Sequence, residues 1–231
     1  MINSPCDTAG LTRLLQLASP TLPVGAFSYS QGLESAIEAG VVQDAASAQC
    51  WISDVLDLSL ASMEAPVLLR LCRAWHETDG AAVEIWNAMF LASRETAELR
   101  AETVQMGYSL RRLLGDLADE RCAALDCLQA MEEVAYPTAY AYAVAHWRLD
   151  PEQALIGYLW SWLENQVMAV LKAVPLGQTD GQKILLALGE RLSAVAAHAM
   201  STGDELPGSF APGLAILSSR HETQYSRLFR S

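Results

Sequence analysis

Positive charge is scarce in this 231-residue chain: 15 Lys and Arg stand against 27 Asp and Glu, a formal net charge of −12 with histidine neutral. A protein that tracks nucleic-acid phosphates needs a basic face, so this balance argues against nucleic acid and favours basic partners or cations. Long uncharged runs are also missing. The longest candidates, 134–147 and 206–219, fall short of the roughly 18 residues a spanning helix needs and contain proline, so no membrane span is expected. Residues 1–10 show no basic segment followed by an apolar one, so nothing reads as a secretory signal. The five cysteines, Cys6, Cys50, Cys72, Cys122 and Cys127, are odd in number and widely spaced, which reads as reduced thiols in the cytoplasm.

Catalytic signatures are absent as well. There is no GxxxxGK[ST] loop to cradle a nucleotide phosphate, no GxSxG elbow and no HExxH; Thr223 follows His221 and Glu222, which breaks the last pattern. His76, His146, His198 and His221 lie far apart, and Cys122 and Cys127 are five apart, so they point in different directions on a helix. No metal-ligand or catalytic set is expected, and no cofactor. Ser28, Tyr29, Ser30 and Gln31 could form a nucleophile-bearing turn, but a capping box at Ser28 and Gln31 explains them more simply.

What is present is apolar residue in quantity, 52% against 18% charged, far from the composition of disorder. Ala and Leu dominate without period-two alternation, which predicts an all-α fold: one compact bundle of about eight to ten helices. Leu11, Leu14, Leu15 and Ala18 share helical spacing in a short first helix that stops near Ser19 and Pro20. Gly40 closes a second helix, Asp44 or Ser47 caps a third, and Pro66 starts the next. Asp79 and Gly80 mark a break. The pattern then runs from Ala81 through Leu114 with an interruption near Ala92 and Ser93, and resumes from Asp119 or Glu120 to about Val134. Proline in a first turn opens a further helix at Tyr136 and Pro137.

The clearest start is Asp150, Pro151, Glu152 and Gln153, ahead of a helix that Leu155, Ile156, Leu159, Trp160, Leu163, Val167, Val170 and Leu171 make apolar nearly all round. Such a helix is enclosed by others, which places it at the centre. Thr179 to Gln182 offers another capping box, followed by one long helix from Ile184 to Met200. Beyond Met200, Gly203, Pro207, Gly208, Pro212 and Gly213 predict an irregular connection. The expected organisation is therefore a helical domain over 1–219, with 1–10 flexible and 201–219 as the Pro/Gly-rich connection, and a tail over 220–231. That tail is too short to hold a helix alone and orders only by docking on its own body or on a partner.

On a helix Glu95, Glu98 and Glu102 would share one face, with Arg94 able to pair with Glu98. A solvated face is the plain reading; like charges at Glu98 and Glu102 repel unless something cationic relieves them. The six tryptophans fall mostly on apolar stripes and read as core or interface.

Several blocks carry a family resemblance. Residues 14–34 (LLQLASPTLPVGAFSYSQGLE), Arg94 to Arg100 with Gln105, Met106 and Gly107, Val174 to Gln178 with Gly181 and Gln182, and the tail HETQYSRLFRS from His221 to Ser231 resemble the UreF family of urease accessory proteins, in the same order. The glycine that some members carry after the proline near Tyr136 is missing here. The resemblance implies an all-helical, non-catalytic scaffold that joins UreD (also called UreH) and the GTPase UreG on apo-urease during nickel insertion, modulating GTP hydrolysis, with a homodimer compatible with the apolar surplus. It puts partner binding at Ser28, Gln31, Glu34, Arg94, Glu95 and Glu98, and in the tail at Gln224, Tyr225, Arg227, Leu228 and Phe229. There Tyr225, Leu228 and Phe229 are the expected apolar anchors and Arg227 sets register through carboxylates. Two other readings are a helical enzyme with a buried pocket lined by Trp160 and Trp162, and a direct nickel carrier using His221 and a cysteine.

Overall fold

Asp150 accepts a hydrogen bond from the Gln153 amide at 2.9 Å, and Pro151 occupies the first turn behind it. This cap launches the longest helix of the fold, Pro151–Ala173, as local chemistry predicts. In the computed structural model, which describes residues 8–118, 122–202 and 208–231, every regular element is helical. We number them α1 (Thr8–Leu17), α2 (Leu33–Glu38), α3 (Ala45–Val55), α4 (Ala65–His76), α5 (Gly80–Ala92), α6 (Ala97–Asp116), α7 (Ala123–Ala130), α8 (Tyr136–His146), α9 (Pro151–Ala173), α10 (Gln178–Gly189), α11 (Leu192–Ser201) and α12 (Pro212–His221). A 3-10 turn spans Ala26–Ser28, and the π-helical stretch Leu56–Glu64 joins α3 to α4 in one rod. Counting that rod and the Gln178–Ser201 run as single helices leaves ten among the described residues, within expectation.

Helix α9 is the centre. Leu155, Leu159, Leu163, Val167 and Val170 are buried, and α1, α2, α3, α4, α10 and α11 pack around it. Gly157 admits α1 closely: a β-carbon there would lie 2.8 Å from Leu14 Cδ1. Leu14 and Leu17 are thus the packed residues of α1, whereas Leu11 and Leu15 of the expected stripe face solvent. A second layer crosses where α6 meets the start of α8. At Gly107 a β-carbon would stand 1.9 Å from the Val134 carbonyl oxygen, so only glycine lets the two backbones meet. Buried Asn87 on α5 stitches this corner, accepting from Ala135 N and Thr138 Oγ1 and donating to the Glu133 carbonyl.

Several expectations need correction. Asp44 and Ser47 do form a capping box, but α2 begins after Gly32 without a side-chain cap, so Ser28 and Gln31 are not one. Gly177 precedes α10, again without a side-chain cap, and the long helix expected over 184–200 breaks at Gly189 to Arg191, where Arg191 turns to pair with Asp57 at 2.7 Å. Gln178–Ser201 is long and apolar enough by composition to cross a membrane, a run missed in the sequence; here one side of its two halves packs on α3, α4 and α9, and 39% of the apolar window is buried. Residues 212–221 are helical rather than an irregular connection, because Pro212 takes a first-turn position where its missing N–H costs nothing. Of the start expected to be flexible over 1–10, Thr8 to Gly10 already belong to α1, while residues 1–7, the Asp119 or Glu120 helix start, and Gly203 and Pro207 lie outside the described residues.

Candidate functional site

Ser30 is followed by two residues with positive φ, Gln31 at 55° and Gly32 at 75°. Together they reverse the chain and aim the first turn of α2 at α12. Glycine is needed at position 32 twice over, since a β-carbon would also press on the Ser218 backbone nitrogen at 3.2 Å. Helix α6 starts at the Thr96 cap, whose hydroxyl accepts from Leu99 N and pairs with Ser218 Oγ at 2.8 Å, while Glu222 caps Ala97 N at 3.0 Å. These contacts bring α2, α6, α12 and the final residues to one place.

Three carboxylates hold the end of the chain there. Glu34 accepts from the backbone amides of Leu228 at 2.6 Å and Phe229 at 3.0 Å, and its Oε2 lies 3.1 Å from His221 Nε2. Glu98 faces His221 Nδ1 and Arg227 Nη1, each at 2.7 Å. Glu102 accepts from Gln31 Nε2 at 2.7 Å and Ser231 Oγ at 2.9 Å, and burial pushes its carboxyl up to about 7 against the opposing effect of those two bonds. The backbone completes the clamp: Arg230 N donates to the Ser28 carbonyl and Ser30 N to the Ser231 carbonyl, both at 2.8 Å, and Ser30 Oγ also donates to Ser231. The tail therefore orders by docking on its own body.

Of the expected site residues, Ser28, Gln31, Glu34, Glu98, Arg227 and Phe229 meet in this cluster. The acidic stripe does not exist as drawn. Glu95 precedes the cap and is exposed, while Glu98 and Glu102 turn inward, with Arg227 supplying the cation that relieves Glu98 and the His221 ring against its other oxygen. Arg94 pairs with Glu64 at 2.7 Å instead of Glu98. Gln224 sits in a turn, its Nε2 donating to the Ser226 carbonyl. Among the three expected anchors, Tyr225 and Leu228 are exposed at 105% and 70%, but Phe229 is buried in the chain's own core beneath Lys172, its ring 5.3 Å from Nζ. A side chain spent on the core is not available to a partner. Sequence reasoning missed Glu64, Tyr158 and Ser231 as members of these networks; only the like-charge spacing of Glu98 and Glu102 hinted at a cation.

Phe229 also walls a cavity of about 190 Å³, lined with Glu64, Arg94, Glu102, Tyr136, Tyr158 and Trp162. Trp160, expected there, lies against Gly189 instead. Glu64 accepts from Arg94 and from the Tyr158 hydroxyl at 2.9 Å, so each of its oxygens has a donor. Arg94 stacks over Phe90 at 4.3 Å, and its Nε is buried without a partner. Among the described residues no group of three or more His, Cys, Asp or Glu is arranged to hold a metal ion. Both ring nitrogens of His221 face carboxylates.

The UreF family model matches residues 42–189. The urease accessory protein UreF of Dechloromonas aromatica (strain RCB) is 56% identical over 222 residues, covering 96% of this chain and 97% of its own. That of Azoarcus sp. (strain BH72) is 57% identical over 225 residues, covering 96% and 95%, and that of Janthinobacterium sp. (strain Marseille) 53% over 221 residues. Identity above half, sustained over nearly the whole of both chains, shows that this chain belongs to the UreF family of urease accessory proteins.

Proposed function

We propose that the chain is a non-catalytic scaffold of the cytoplasm that binds a UreD/UreH protein and recruits the GTPase UreG to apo-urease for nickel insertion, bearing on GTP hydrolysis through that complex. The observation that carries this reading is the tail. Tyr225 and Leu228 stand fully or mostly exposed on a segment that Glu34, Glu98 and Phe229 hold rigid, so two large apolar side chains are presented at little further entropic cost. Rigid exposed aromatic and aliphatic residues beside Arg227 and Arg230 are what an acidic partner surface with a pocket would recognise. Ser28, Gln31, Glu34 and Glu98 then act through the shape they give the tail, and exposed Glu95 extends the surface. Exposed Leu15, Phe27 and Met168 supply apolar surface for a homodimer, which Phe27 and Met168 share with the mouth of the cavity.

The test is co-expression with UreD and UreG from the same source, followed by size-exclusion chromatography with light scattering and GTP hydrolysis on the same fractions. A stable ternary complex is expected, and Tyr225→Ala with Leu228→Asp is expected to weaken it at least tenfold without changing the melting temperature. Free migration of the wild-type chain beside its partners would sink the reading. It would favour the pocket enzyme, for which the unpartnered Arg94 Nε beside the cavity is the supporting observation.

A further inference from the structure

Positive charge, scarce in this chain, gathers in a second cavity framed by the end of α4, the turn from α8 into α9 and the end of α11. Its volume is about 540 Å³, and its lining combines Arg70, Arg73, His76 and Arg148 with apolar side chains such as Leu69 and Leu149. No Asp or Glu lines it among the described residues. Burial pushes the Cys72 thiol in its wall up to about 12, so the wall stays neutral there. Acids outnumber Lys and Arg by 27 to 15 in the whole chain, and Arg94, Arg100, Arg191 and Arg227 each hold a carboxylate. Arg73 and Arg148 hold none. Neither side chain has a hydrogen bond, ion pair or ring contact within the described residues, whereas Arg70 stacks over Trp86 at 5.0 Å.

Arg148 stands where the backbone favours a different residue. It follows α8 with φ at 54°, its amide donating to the Ala145 carbonyl and that of Leu149 to the Val144 carbonyl. Glycine makes this left-handed helix end without strain, so the turn itself does not call for arginine. A plainer reason for cations here is that α4, α8 and α11 all end beside the cavity. Three carbonyl ends amount to about one and a half negative charges at most. Three guanidiniums, which stay protonated, exceed that sum. The first turn of α9 at Pro151 also brings its positive end to the cavity, and Asp150 is committed to the Gln153 amide as its cap. An excess of positive charge remains.

We propose that this cavity is a binding site for a small anion carrying two or more carboxylate or phosphate groups, held by the unpartnered guanidiniums of Arg73 and Arg148. The planar fork of arginine suits either head group, and the apolar part of the lining receives a short carbon body. The volume lies in the range of small-molecule sites. The tail is held by α2, α6 and α12, none of which lines this cavity, so the site stands or falls apart from the scaffold reading.

The test is isothermal titration calorimetry of the full chain in a low-salt buffer free of phosphate, with citrate and pyrophosphate as probes and triethyl citrate as the uncharged control. One anion per chain is expected, with a Kd below about 1 mM that weakens as salt is added. Arg73→Gln and Arg148→Gly are each expected to weaken binding about tenfold. Because glycine suits the left-handed backbone, Arg148→Gly is expected to melt at or above the wild-type temperature, which separates lost binding from lost folding. Arg112→Gln, at an exposed arginine of α6, is expected to bind as wild type does. A response to citrate alone or to pyrophosphate alone upholds the site and identifies its head group. The proposal is overturned if neither probe binds at about 10 mM, or if triethyl citrate binds as well as citrate. Full affinity in Arg148→Gly overturns it too, as does an equal loss in Arg112→Gln, which would mean that diffuse charge rather than the cavity attracts the anion.

Discussion

Gln31 Nε2 donates to Glu102 Oε1 at 2.7 Å, between residues 71 apart in sequence. The same amide accepts from Trp162 Nε1 at 2.7 Å, so one side chain ties the loop before α2 to both α6 and α9. Replacing it by alanine leaves the indole N–H and one carboxylate oxygen without their partners. Gln31→Ala is expected to cost about 2 to 3 kcal/mol, since a buried polar group left unsatisfied costs roughly 1 to 3. Urea unfolding reads this as a lower midpoint with an unchanged slope; an unchanged midpoint would mean that water takes over both contacts.

The Glu64 and Arg94 side chains are 10% and 8% exposed, and neither has another charged partner in hydrogen-bond contact. Glu64→Ala strands a buried guanidinium and is expected to cost about 3 to 5 kcal/mol. Replacing both, Glu64→Leu with Arg94→Met, removes the stranded charge and is expected to recover most of that loss. A double variant as unstable as the single one would show that packing, rather than charge, sets the cost.

At Gly107 the obstacle is backbone. A methyl group 1.9 Å from the Val134 carbonyl oxygen cannot be accommodated by a side-chain rotation, so α6 and α8 would have to separate. Gly107→Ala is expected to destabilise by about 3 kcal/mol or more despite the better helix propensity of alanine, at the upper end for overpacking. Thermal denaturation followed at 222 nm would check it; a variant as stable as wild type is incompatible with the described crossing.

Stability should fall with alkalinity through Glu102. Its carboxyl titrates at about 7 in the folded chain against 4.5 when unperturbed, so the folded state holds the proton more tightly than the unfolded one. The relative stability this confers is present below the ordinary carboxylate range and is lost as pH rises through about 7. Wild type is therefore expected to lose up to about 3 kcal/mol relative to Glu102→Gln between about pH 5 and about pH 8. Parallel pH profiles of the two unfolding midpoints would refute the assignment.

The helical class, the place of α9 and most helix starts were legible in the sequence because their causes are local. Asp150 with Gln153 and Asp44 with Ser47 act within three residues, prolines act on the first turn, and an apolar residue on every side of α9 allows only an enclosed position. Local signals also misled where two outcomes were nearly equal in energy. Ser28 and Gln31 resemble a cap, yet the chain reverses at Gln31 and Gly32 instead, and Thr179 with Gln182 is no cap at all.

Which charges meet was a matter for the tertiary structure alone. Arg94 could pair with Glu98 one turn away, but packing buries it beside Glu64, and Glu98 finds its partners in His221 and Arg227, more than 120 residues later. The tail sequence announced that it must dock; it could not say that Glu34 would receive it, nor that Phe229 would be consumed by the core while Tyr225 and Leu228 stayed outside. Periodicity and capping are set by residues within a turn or two of each other. The partner of a buried charge is chosen by which elements the whole core brings into contact and by how much water that contact excludes.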